Sequence, residues 1–169
     1  LDYNDTADVN DYFKNHDLEQ TPRINKIGIE KFRDKVVLDF GCGGGSFLDS
    51  IKGIAKKTIA VEPFVGYHES LKLRGHEVYS DILDCSHLIS KIDIVISFGV
   101  IEHINTPLEY LKNAYSILKP NGKMFIETDN LDEILVKLGF KEFEPFYYRR
   151  VRCFKANSSQ FFCQHYDHE

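Results

Sequence analysis

No apolar run in this chain approaches the length of a bilayer span, and no secretory leader pattern opens it. A membrane span is therefore not expected, and a cytoplasmic location is. The chain begins at Leu1 rather than at a methionine, which leaves room for an upstream segment. Basic residues are not in excess: 21 Lys and Arg stand against 26 Asp and Glu. The resulting net charge of −5 argues against a broad nucleic-acid footprint, although a local basic patch stays compatible with it. Cysteine is scarce and dispersed (Cys42, Cys85, Cys153 and Cys163), with no close pair. Neither a disulfide framework nor a zinc site is expected, and free thiols in a reducing compartment are. The histidines are scattered too, except for His165 and His168 beside Asp167. That terminal trio reads as a solvated tail rather than a metal site. No internal repeat or low-complexity linker interrupts the 169 residues, so one domain is expected over 1–169. With 43% hydrophobic and 28% charged residues, it has the composition of a soluble globular protein.

What is present is concentrated at Val36-Val37-Leu38-Asp39-Phe40-Gly41-Cys42-Gly43-Gly44-Gly45-Ser46. A continuous apolar run reads as a buried parallel strand. Glycines beyond it permit a tight turn and close backbone approach to a ligand. Helical periodicity then begins at Phe47, Leu48 and Ile51, so unpaired helix N–H groups face the turn. The whole is a strand–loop–helix nucleotide site. The nicotinamide fingerprint Gly-x-Gly-x-x-Gly fails here, because Ser46 stands at its third glycine. Asp39, at the strand end, suits a ligand that brings a cation near the turn.

The stretch Asp39-Phe40-Gly41-Cys42-Gly43-Gly44-Gly45 resembles motif I of the class I S-adenosylmethionine (SAM)-dependent methyltransferases. The resemblance covers about residues 36–140. It implies that Asp39, Gly41, Cys42 and Gly43 hold the methionine part of SAM. Thr58-Ile59-Ala60-Val61 reads as a second strand ending at Glu62, about 20 residues beyond the first glycine, where an acid accepts from ribose hydroxyls. The family gives Glu62 this job on SAM, with Pro63 turning the chain and Phe64 beside the adenine. His76–Tyr79 reads as a third strand. In the family, the acid and apolar residue after it, here Asp81 and Ile82, hold the adenine, and Asp84 competes for the acidic role. Ile92–Phe98 is the fourth strand, and Phe98-Gly99 leads into Val100-Ile101-Glu102-His103-Ile104, where methyl donor and acceptor meet in small-molecule methyltransferases. His103 is the candidate general base, since an imidazole with a pKa near 6.5 suits proton removal at neutral pH. The alternative is that Glu102-His103 only shapes the loop. Leu118-Lys119-Pro120-Asn121-Gly122-Lys123 matches a frequent structural junction of the family.

Around these anchors, Asp5-Thr6-Ala7-Asp8 caps an expected helix to about His16, and Pro22 opens a second that carries Ile24, Ile27 and Phe32. This 1–35 segment is either part of a lid over the cofactor, as in related methyltransferases, or a packing helix. A helix is expected near 65–74. Thr106-Pro107 starts another with Leu108, Leu111, Ala114, Tyr115 and Leu118 as its buried stripe. Lys123–Thr128 is the fifth strand, 131–138 a short helix, and 141–169 a final antiparallel hairpin rich in aromatics. Its Arg149, Arg150 and Arg152 suit a substrate phosphate or carboxylate, or form an exposed strand face. Alternating strands and helices imply a Rossmann-like, doubly wound α/β sheet, mostly parallel, with helices on both faces.

The function implied is methyl transfer from SAM to a small-molecule acceptor, with S-adenosylhomocysteine as product. The Asn/Asp-Pro-Pro-Tyr/Phe tetrapeptide of nucleic-acid amino-methyltransferases is missing after strand four, where Ser97-Phe98-Gly99-Val100 stands. A hydroxyl of a sugar- or quinone-like metabolite is therefore favoured, with N- or C-methylation open. A non-catalytic SAM-binding module of a larger assembly is the alternative reading. No metal is expected, and the sequence leaves the oligomeric state undetermined.

Overall fold

Glycine and proline punctuation divides the chain into alternating helices and strands, which a computed structural model describes over residues 8–128. Helix α1 (Val9–Ile27) precedes strand β1 (Val36–Phe40), helix α2 (Ser46–Ile51) and strand β2 (Lys57–Val61). Helix α3 (His68–Leu73), strands β3 (Glu77–Tyr79) and β4 (Ile92–Phe98), helix α4 (Pro107–Ile117) and strand β5 (Leu118–Glu127) follow. The strands form one sheet in the order β3-β2-β1-β4-β5, and every pairing is parallel. The chain thus winds outward from β1 to β3, then crosses back to β4 on the other side of β1. That reversal opens a crevice beyond the carboxyl ends of β1 and β4.

Alternation along β1 explains why both faces are covered. Val37 packs with Phe32, Phe47, Leu48 and Ile51 on one face, and Leu38 with Ile59, Val95, Ala114 and Ile117 on the other. A parallel sheet needs this double cover, and it accounts for the unbroken apolar runs. Each fully buried aliphatic side chain contributes about 1.5–3 kcal/mol. The doubly wound architecture expected from the sequence holds in the described residues. The expected helix at 131–138 and the antiparallel hairpin at 141–169 lie outside them.

Four local expectations are corrected. The N-terminal segment forms one helix, α1, with Pro22 inside it rather than opening a second. Pro22 removes one helical N–H, but the turn beyond it is held by packing of Ile24 and Ile27 on the core and by ion pairs of Arg23. The cap is Asp8, whose carboxylate accepts from the Asn10 N–H at 2.8 Å. On α4 the buried face is Tyr110, Ala114 and Ile117, while Leu108 and Tyr115 are 66% and 77% exposed. The two stripes share Ala114 but differ in phase, and the Tyr110 hydroxyl wins its place by hydrogen bonding the buried Ser97 hydroxyl. The 65–74 segment is a 3-10 turn (Val65–Tyr67) followed by the shorter α3. The Pro120-Asn121-Gly122 junction sits inside β5 as a bulge, and regular pairing with β4 runs from Ile94↔Lys123 to Phe98↔Glu127.

Candidate functional site

The turn after β1 is bent by three glycines in the left-handed region, of which Gly41 and Gly43 matter most (φ 75° and 54°). A Cβ on Gly41 would stand 2.5 Å from a Val100 methyl, so the turns after β1 and β4 touch at the crevice and only glycine fits. The Gly41 N–H donates to the Val61 carbonyl at 2.8 Å, which ties the same turn to the end of β2. Glu62 follows there, nearly fully buried at 3% exposure. Its Oε2 accepts from the Gly43 N–H and its Oε1 from the Phe64 N–H, both at 2.8 Å. The backbone carbonyl of Glu62 accepts from His68 Nε2 at 2.6 Å. Burial pushes the Glu62 carboxyl up, and the two backbone donors oppose that shift. The glycine turn and the strand-end acid are thus one hydrogen-bonded unit, with spare lone pairs on the carboxylate for a ligand.

The inner face of the turn is covered by α1. The Tyr12 ring lies over Gly43 and Gly44, where an added Cβ would meet ring atoms at 2.5 Å in either case. Its hydroxyl donates to the Cys42 carbonyl at 3.3 Å. Tyr67 and His16 pack beside that ring, with centroids at 5.5 and 4.3 Å. One open depression of about 410 Å³, bordered by Phe13, Ser46 and Arg74, lies at the rim of the turn. Another of about 660 Å³ lies along the first turns of α4.

Asp39 is buried on the central strand of the sheet. Burial pushes its pKa up to about 8, the Arg23 charge opposes this, and the Glu62 charge adds to it. A carboxyl raised in the folded state holds its proton where the unfolded chain has lost it, so its stabilising contribution is present in acid and lost as pH rises toward 8. Stability should therefore decline from this group as pH rises from the ordinary carboxylate range toward 8. Asp39→Asn should flatten that decline in thermal unfolding followed from pH 5 to 8. An unchanged slope would mean that Asp39 is ionised in the folded protein. Arg23, the nearby charge, bonds Glu127 Oε1 through Nε at 3.0 Å and lies 5.0 Å from the centre of the Phe98 ring.

The other residues singled out from the sequence fall at the same edge in differing settings. Cys42 is buried, and its thiol is pushed well up by that burial. Pro63 is exposed at the turn after β2. Asp81 and Asp84 form a reciprocal cap on the turn Ile82–Leu88: Asp81 accepts from the Leu83 N–H at 2.8 Å, and Asp84 from the Asp81 N–H at 3.2 Å. Ile82 is buried beneath that turn. Phe98 is half-buried against Phe47, and the Gly99 N–H donates to the Glu127 carbonyl at 2.9 Å. His103 is half-buried in the 3-10 turn Ile101–His103, and neighbouring Glu102 is buried, accepting from the Thr128 hydroxyl at 3.0 Å. Among the described residues no cluster could hold a metal ion, and no helix is long and apolar enough to cross a membrane. Sequence reasoning missed Tyr12, Arg23 and Arg74 as site neighbours. They belong to no motif, and only the docking of α1 and α3 brings them to the turn.

Comparison with known proteins agrees with this geometry. Residues 12–167 match the model of the methyltransferase domain family. An uncharacterized protein of Methanocaldococcus jannaschii is 30% identical over 118 residues, 70% of this chain and 51% of that protein. The mitochondrial ubiquinone biosynthesis O-methyltransferase of Rattus norvegicus is 27% identical over 117 residues, 61% of this chain and 33% of its own length. A solved SAM-dependent methyltransferase from Archaeoglobus fulgidus superposes with a TM-score of 0.57 at 26% identity, covering 70% of this chain and 56% of that one. The chain thus spans about a third to a half of the length of these two sequence relatives. With a family match that runs through nearly all its residues and the glycine turn, switch-point crevice and strand-end acid in place, the chain belongs to the methyltransferase domain family.

Proposed function

We propose that this chain binds SAM at the glycine turn and transfers its methyl group to a small-molecule acceptor, in particular a hydroxyl of a sugar- or quinone-like metabolite. The observation that carries the reading is the coupling of the Gly43 N–H to the Glu62 carboxylate at the switch point. The residues present suit SAM. Glu62 can accept from two ribose hydroxyls, and an ammonium group brought beside buried Asp39 would favour the ionised form of its carboxyl. The Gly43–Gly44 backbone offers an unsubstituted surface, which a ligand would reach by displacing the Tyr12 ring that covers it. Asp81 and Ile82 would line the adenine side, and residues 1–169 would act as one domain.

SAM, when bound, brings an activated sulfonium methyl. The protein must therefore align the acceptor and, for a hydroxyl, remove its proton. His103, in the turn after β4, would take that proton. Support for an oxygen acceptor comes from the ubiquinone O-methyltransferase relative and from Ser97-Phe98-Gly99-Val100 after β4. Calorimetric titration with SAM, S-adenosylhomocysteine and NADH, followed by transfer of labelled methyl to a panel of quinol and sugar acceptors, tests the reading. NADH binding in preference to SAM would overturn it. SAM binding with no turnover on any acceptor would select a non-catalytic SAM-binding module.

Glu62→Ala should weaken S-adenosylhomocysteine by roughly 1.5–3 kcal/mol, the range for charge-assisted hydrogen bonds. The loss should be much smaller for a 2′,3′-dideoxy analogue. Equal losses would instead assign Glu62 to holding the Gly43 and Phe64 N–H groups.

A further inference from the structure

The outer side of the glycine turn is organised by a residue outside every motif. Arg74 closes α3, and its guanidinium hydrogen bonds the Gly44 carbonyl and the Asp49 carboxylate in the first turn of α2. Nε also donates to the Ser70 carbonyl at 3.2 Å, and the planar group lies 4.9 Å from the centre of the Phe13 ring on α1. One side chain therefore touches the turn, the helix after it, the helix that carries it and the helix that covers the site. Asp49 is held in turn by Lys52 at 3.0 Å and by His76 Nε2 at 3.1 Å.

The consequence lies in the orientation of the turn. With the Gly44 carbonyl drawn outward to a fixed cation, the preceding Gly43 N–H stays directed at Glu62. Phe13 is adjacent in sequence to Tyr12, so its contact with Arg74 also fixes the ring that lies over Gly43 and Gly44. Resting on the cofactor reading above, we propose that Arg74 is a positioning residue for cofactor binding, which sets the glycine turn from behind through the Gly44 carbonyl. Its planar, multiply donating head suits a place where three partners must be met at fixed angles, and a flexible ammonium would meet only one.

The test compares Arg74→Met and Arg74→Lys with the wild-type chain. It measures the Kd for S-adenosylhomocysteine at a temperature where thermal unfolding shows all three folded, and hydrogen exchange of α1 amides without ligand. Loss of the charged hydrogen bond in Arg74→Met should raise Kd roughly tenfold or more and speed exchange in α1. Arg74→Lys, retaining one donor for Gly44, should bind within about threefold of wild type. Wild-type affinity in folded Arg74→Met overturns the proposal. Equal loss in the Lys and Met variants overturns it too, since the donor to Gly44 would then not matter. A wild-type chain that binds no S-adenosylhomocysteine overturns the cofactor reading itself, and this inference with it.

Discussion

Replacement of Gly43 by valine should abolish measurable cofactor binding, with affinity falling at least about a hundredfold, or about 2.7 kcal/mol. Two effects act together. The backbone there has φ +54°, a conformation that a β-branched residue adopts only with strain. An added Cβ would also lie 2.5 Å from the Tyr12 ring and would fill the surface that a ligand must approach. Because the Gly43 N–H is one of the donors to Glu62, any shift of the turn also disturbs the acid expected to hold the ribose. Gly43→Ala keeps the steric effect with less strain and serves where valine prevents folding. Calorimetry that returns wild-type affinity for either folded variant would remove the turn from the cofactor site.

The second large effect is expected at His103. Once an acceptor is known, His103→Ala should lower kcat by about 10²–10⁴, the usual contribution of a general base, with cofactor affinity nearly unchanged. Wild-type kcat should fall as the pH is lowered into acid, because a protonated base cannot accept. The variant should lose that dependence. His103 stands in a tight turn whose backbone is closed by its N–H donating to the Val100 carbonyl at 2.9 Å. That bond survives the substitution, so a change in rate would report on the side chain. A variant that keeps wild-type kcat from pH 6 to 9 would leave alignment as the only task of this turn.

The central strands were legible because buried parallel strands are written as apolar runs. Val36–Phe40 and Ile92–Phe98 are such runs, and each ends in a glycine that has positive φ in the structure. Glu62 was legible for a related reason: strand length and one crossover place the residue after β2 beside the turn after β1. The helix faces were harder. On α4, leucines at 108, 111 and 118 competed with Tyr110 and Ile117 on either side of the shared Ala114, and hydropathy favoured the leucines. The hidden Ser97–Tyr110 hydrogen bond, which decided the phase, joins residues of different elements.

The sequence by itself determined that this is a doubly wound α/β chain with a glycine turn, a strand-end acid and a methyltransferase-like motif, since these depend on local periodicity and short spacings. Tertiary structure alone decided what meets that turn. Tyr12 is about 30 residues from the glycines and Arg74 about as far on the other side, distances over which no sequence periodicity operates. Docking of α1 across Pro22 brings Tyr12 and Arg23 to the crevice, and packing of α3 against the sheet brings Arg74 to the outer side of the turn. The buried state of Asp39, and with it the upward push on its carboxyl, exists only when those layers close, because desolvation belongs to the assembled fold and not to any stretch of chain.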